Sequence, residues 1–161
     1  MKRLSIFTII AVFTCLGCNR ITFSETPYIE FQSLEKIDNG FGYDDKAVLS
    51  FYFEDGDGDI GLEGNIQDSL ATEDDYNFFV QYYEKQNGDF VLVIPKITMN
   101  SRIPPLSKNV PETISGIISN EIFINNMESK YDTVRFDFFI TDRKNNRSNL
   151  ASTGEVIIKK K

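Results

Sequence analysis

The sequence predicts an all-β fold, a sandwich of about seven to eight strands behind an N-terminal signal peptide. Three observations carry that prediction. After Pro27 the apolar residues recur with a period of two, the spacing of a half-buried strand. Aromatic residues are abundant, with 14 Phe and 7 Tyr, and β-branched residues accompany them. Turn signals separate the runs, and no convincing amphipathic helix or fixed-period repeat interrupts them. The length of 161 residues suits one domain.

Met1-Lys2-Arg3 is a short positive head, followed by an apolar run from Leu4 to Leu16. That run fits the roughly 7–15 residues of a signal-peptide core and falls short of the ~20 that span a membrane. The signal peptide is assigned to residues 1–17. Residues 18–26 show little periodicity and read as a tether, which leaves 27–161 for the sandwich.

Tyr28–Leu34 is the first predicted strand. The stretch from Ile37 to Asp45 is a turn region centred on Asn39-Gly40. Ala47–Phe53 alternates, with Leu49, Phe51 and Phe53 on one face and Val48, Ser50 and Tyr52 on the other. Asp55–Asp75 is a long acidic connection. Tyr76–Lys85 is a strong strand, and Asn87-Gly88 then gives the clearest hairpin signal, leading into Phe90–Ile94. Thr98–Ile103 reads as a short edge strand stopped by Pro104-Pro105. Ile114–Ile124 and Val134–Thr141 are two further strands, and Glu155–Ile158 closes the domain. Lys159–Lys161 is a solvated basic end.

Tyr76, Phe78, Val80 and Tyr82 form one core-facing row, and Val134, Phe136, Phe138 and Ile140 another. The chain has no Trp, and both of its Cys lie at positions 15 and 18, so the hallmarks of an antibody domain are missing. An immunoglobulin/fibronectin-III-like β-sandwich needs neither. The absence of His excludes Ser-His-Asp and Cys-His catalytic pairs. The net charge of −7 argues against nucleic acid as a partner.

The most informative stretch beyond the signal is Glu54-Asp55-Gly56-Asp57-Gly58-Asp59-Ile60-Gly61-Leu62. Carboxylates at alternate positions, separated by Gly, can bend toward one centre. Oxygen-only ligands suit a hard cation such as Ca²⁺. The segment resembles an Asp-x-Asp-x-Asp calcium-loop start. It is not an EF-hand, because Ile60 and Ile66 stand where that loop has Gly and Glu, and strands flank it. Ile60 and Leu62 are expected to turn into the core and fix the loop. The plain alternative is a solvated acidic turn.

Let 47–53 be strand B, 76–85 strand C and 134–141 strand F. The B–C and F–G loops then share one end of the sandwich. Asp142 would join Asp55, Asp57 and Asp59 as a ligand, with Asn145 or Asn146 as carbonyl donors. Alternatively, Arg143 pairs with the carboxylates. Asp74 and Asp75 enter strand C at the same end, and the N-terminus of the domain lies near it.

Leu16-Gly17-Cys18 resembles the lipobox of bacterial lipoproteins, with Cys15 standing where that family usually has Leu. The resemblance implies cleavage before Cys18 and acylation of its sulfur, with Cys15 as a poorer alternative acceptor. Cleavage would also remove Lys2 and Arg3 and leave a more acidic chain. Asn19-Arg20 lacks the acidic run that resembles a surface-export signal. The expected place is therefore the cell envelope, anchored to the outer membrane and facing the periplasm. The chain also resembles a group of small Bacteroidota-type envelope lipoproteins with an immunoglobulin-like domain. The matching pieces are the Phe51–Leu62 stretch, Tyr82-Tyr83-Glu84-Lys85, Arg102-Ile103-Pro104, Asp142-Arg143 and Arg147-Ser148-Asn149. That resemblance implies no enzymatic activity.

Phe79 and Tyr83 on strand C and Phe139 on strand F face away from the core and would form an outer aromatic patch for an envelope protein or a glycan. Alternatively, the 96–113 segment covers them. Asp68-Ser69-Leu70 and Asp132-Thr133-Val134 resemble a Bacteroidota O-glycosylation motif, with Ser69 the better acceptor. These features point to a non-enzymatic binding or adhesion module stabilised by Ca²⁺. The alternatives are a structural subunit of an outer-membrane complex and, less favoured, a carboxylate-based glycosidase.

Overall fold

Alternation along β2 (Lys46–Asp55) organises the molecule: Ala47, Leu49, Phe51, Phe53 and Asp55 are buried, and every residue between them is half-exposed. The computed structural model describes residues 22–64, 72–108 and 110–161. The signal peptide, Cys15, the lipidation candidate Cys18 and the glycosylation candidate Ser69 lie outside the described residues.

β2 is the middle strand of a three-stranded antiparallel sheet. Its neighbours are β1 (Tyr28–Ile37) and β5 (Ile114–Phe123). β1 carries a register shift between Phe31 and Ser33. The second sheet runs β4 (Asp89–Val93), β3 (Phe78–Gln86), β6 (Thr133–Ile140), β7 (Ala151–Ser152). The short β8 (Val156–Ile157) also pairs with β6. In immunoglobulin lettering the sheets are A-B-E and C′-C-F-G, the expected sandwich.

The two sheets meet through aromatic rings. Phe51 of β2 stacks on Phe78 of β3 at 5.5 Å and packs on Phe138 of β6 at 5.4 Å. Tyr82 and Phe136 extend this layer at 5.6 Å. Of the two expected core rows, Phe78, Tyr82, Val134, Phe136, Phe138 and Ile140 are buried. Tyr76 and Val80 are only half-buried, because the sheet edge lies beside them. The β3–β4 hairpin turns at Asn87-Gly88, where φ is 54° and 99°, as a two-residue type I′ turn requires.

Two predicted elements differ. Thr98–Ile103 is not an edge strand; only Ser101 bridges to Phe78. Side chains have replaced the ladder there. Asn100 Oδ1 accepts from the Val80 N–H at 3.0 Å, which a strand carbonyl would otherwise take. Asn77, fully buried, donates through Nδ2 to the Ile103 carbonyl at 3.1 Å and accepts from the Ile103 N–H at 2.6 Å. The predicted closing strand Glu155–Ile158 is the short β8, and an unpredicted two-residue β7 precedes it, with the chain turning between them at Gly154, where φ is 70°.

The Asn77 amide therefore closes the open flank between the sheets. Asn77→Ala would leave the buried Ile103 N–H unpaired, at about 1–3 kcal/mol, while the Ile103 carbonyl keeps the Leu62 N–H at 3.0 Å. Urea unfolding should show a loss of roughly 1–3 kcal/mol with the slope unchanged.

Candidate metal centre

Asp55 occupies the last inward position of β2, so strand periodicity alone delivers its carboxylate to the end of the core. Beyond it the chain must coil within a crowded space. A Cβ on Gly56 would lie 2.4 Å from the Phe23 carbonyl oxygen, and one on Gly58, where φ is +72°, 2.2 Å from that of Glu112. Only Gly fits at these two points. Backbone bonds then tie the loop on three sides. The Gly56 N–H donates to Ser24 O at 2.8 Å, the Glu112 N–H to Asp57 O at 3.0 Å, and the Arg143 N–H to Asp59 O at 3.3 Å. Ile60 is fully buried and bridges Asp142, so it anchors the loop as expected, with Leu62 half-buried beside it.

The result is a buried cluster of Asp55, Asp57 and Asp59, which are 0%, 5% and 4% exposed. One carboxylate oxygen from each lies within 4.8 Å of the others, close enough to hold a metal ion. Asp55 Oδ2 accepts from the Ile60 N–H at 3.1 Å, and Asp57 Oδ2 accepts from the Lys144 ammonium. The Oδ1 atoms of all three are buried without a hydrogen-bond partner. Buried acceptors are normally satisfied, and three bare oxygens in one cluster form a donor set that fits a cation.

Burial, followed by the neighbouring Asp57 carboxylate, pushes the Asp55 carboxyl up to about 6. Asp59 is raised by burial and by the charges of Asp142 and Asp57. Burial also acts on Asp57, but the Lys144 ammonium and the neighbouring Asp55 carboxyl outweigh it and hold the group below its ordinary value.

Asp142 stands beside this cluster and is bonded into its own turn. Its Oδ1 accepts from the N–H groups of Lys144 at 2.9 Å and Asn146 at 2.8 Å, and its Oδ2 from the Asn146 amide at 2.8 Å. The Asn146 carbonyl accepts from the Asp142 N–H at 3.2 Å, and Asn145 sits at φ of 63°. Arg143 does not neutralise the loop through a carboxylate; its Nε donates to Gly61 O at 3.0 Å. The neutralising cation is Lys144, which also lies 3.6 Å from Glu25. The sequence signal for it was its place in the same Asp142–Arg147 turn, one residue beyond Arg143. Asp75 is drawn away by Arg102 at 3.1 Å and by Thr72, and Asp74 is exposed.

Phe79 and Phe139 stack at 4.9 Å on the outer face, as strands C and F predict. Two arginines cover the patch rather than the 96–113 segment. Arg147 lies 3.7 Å over Phe139, and Arg135 sits between Tyr83 at 4.4 Å and Phe90 at 4.8 Å.

In metal-free protein the raised Asp55 pKa makes the folded state hold a proton that the unfolded state has released. Stability from this group is full below about pH 4 and is lost as pH rises through about 6. Thermal melts in EDTA should therefore show lower stability at pH 7 than at pH 5, by an Asp55 contribution of about 1 kcal/mol. Asp55→Asn should flatten that slope; an unchanged slope would place its origin elsewhere.

Compared with protein-family models, with curated proteins and with solved structures, the chain matches none.

Proposed function

We propose that this chain is a non-enzymatic, lipid-anchored cell-envelope module, a β-sandwich for binding or adhesion that Ca²⁺ stabilises through Asp55, Asp57 and Asp59. The observation that carries the metal reading is the set of three buried, partnerless carboxylate oxygens within one small cluster. All-oxygen donors favour a hard cation over Zn²⁺ or Cu²⁺, and a coiled glycine loop suits the flexible, high coordination of Ca²⁺ better than the strict octahedron of Mg²⁺. Water and backbone carbonyls would complete the shell. The loop adjoins Ser24 and Glu25, so ion binding would stiffen the junction between domain and tether.

The glycosidase reading is disfavoured by the same geometry. Its two carboxylates should stand about 5–10 Å apart on separate elements across a cleft. Here the acidic groups crowd one loop within 4.8 Å. A structural subunit of an outer-membrane complex remains the alternative, with the Phe79–Phe139 face as its contact.

Scanning calorimetry with Ca²⁺ and with EDTA tests the metal. Ca²⁺ should raise the melting temperature of the wild type by several degrees and leave an Asp57→Ala/Asp59→Ala variant unmoved. No Ca²⁺-dependent shift in the wild type sinks this reading. Anchoring is tested separately at Cys18. Cys18→Ser should release the protein from membranes and abolish incorporation of labelled fatty acid; label that still enters assigns acylation to another residue.

A further inference from the structure

Lys144 joins the acidic loop to the N-terminal segment, and its backbone and its side chain are held very differently. The Lys144 N–H donates to Asp142 Oδ1 at 2.9 Å, and the preceding Arg143 N–H donates to Asp59 O at 3.3 Å. The turn is therefore fixed against the loop. The side chain above it is 55% exposed. Its ammonium donates to Asp57 Oδ2 and stands 3.6 Å from Glu25, whose side chain is 74% exposed. Among the described residues no other Lys or Arg forms an ion pair with Asp55, Asp57 or Asp59; Arg143 is spent on Gly61 O.

The charge and the reach of this ammonium do not match the cluster. One positive charge faces three carboxylates. It bonds one oxygen, on Asp57, and leaves the Oδ1 atoms of all three residues bare. Each of the three is more than nine-tenths buried, and one oxygen from each lies within 4.8 Å of the others. A cation held by those oxygens is one carboxylate away from the ammonium, inside the Debye length of about 8 Å at physiological ionic strength. Two positive charges at that range repel. The ammonium also occupies Asp57 Oδ2, so Asp57 cannot offer both of its oxygens to an ion that takes six to eight.

We infer that Lys144 is the internal competitor of the cation: its ammonium is the loop's counter-ion in metal-free protein, and it sets the affinity of the loop for Ca²⁺. The inference rests on the calcium reading of the Asp55, Asp57 and Asp59 cluster. The coupling is reciprocal, so a bound ion loosens Lys144 from Asp57 as much as Lys144 opposes the ion. The loosened side chain is already exposed, its turn is held by Asp142, and Glu25 lies within 3.6 Å to receive it. The lysine also biases the loop by charge. A monovalent ion in its place exchanges one positive charge for another, whereas a divalent ion adds one.

Calcium titration calorimetry and thermal melts on the EDTA-stripped, dialysed full chain in detergent test this. Lys144→Gln should bind Ca²⁺ about ten-fold more tightly than the wild type. Lys144→Arg, which keeps the charge, should bind no more tightly than the wild type. Lys46→Gln removes the same charge from an exposed pair with Glu121, at the other end of the ten-residue β2 from Asp55, and should leave the affinity unchanged. In EDTA, Lys144→Gln should melt below the wild type, because the loop has lost its counter-ion; in saturating Ca²⁺ that deficit should vanish. Equal Ca²⁺ affinity in Lys144→Gln and the wild type overturns the inference and leaves the calcium reading standing. So does an equal gain in Lys46→Gln, or a melting deficit that Ca²⁺ does not reduce, which makes Lys144 a structural contact only. A wild type that takes up no Ca²⁺ overturns the calcium reading itself, and this inference with it.

Discussion

Everything in this molecule hangs on the two-residue period of β2. One row of buried side chains, Ala47 to Phe53, faces the second sheet, with Phe51 clasped by Phe78 and Phe138. The same row ends in Asp55. A strand cannot turn one residue outward without turning all of them. The apolar core therefore fixes the position of a carboxylate that gains nothing from burial by itself. The glycines that follow, and the Ser24, Glu112 and Arg143 backbone contacts, fold Asp57 and Asp59 back against it.

The charge accounting of that cluster decides what it can hold. Three ionised carboxylates meet one ammonium, Lys144, which within the cluster contacts Asp57 alone. A net deficit of two positive charges remains. The molecule can reduce it in two ways. It can protonate, which is the meaning of the raised Asp55 and Asp59 groups, or it can accept a divalent cation. A proton satisfies one oxygen; a cation satisfies the bare oxygens of all three residues at once. At neutral pH, above the Asp55 value of about 6, the proton is released and the uncompensated negative charge returns.

Most of the fold was legible because its signals are local. Alternation located β2, β3, β5 and β6, and Asn87-Gly88 located the hairpin. The acidic triad was equally visible, since its spacing and its glycines lie within five consecutive residues. What escaped was non-local. The Thr98–Ile103 segment looks like a strand by composition, yet the buried amide of Asn77, more than twenty residues away, sets its path. Lys144 rather than Arg143 meets the loop because the Asp142 turn aims the former at Asp57 and leaves the latter on Gly61 O. The arginine cover over Phe139 and Tyr83 likewise depends on cross-strand neighbours that residue order does not display.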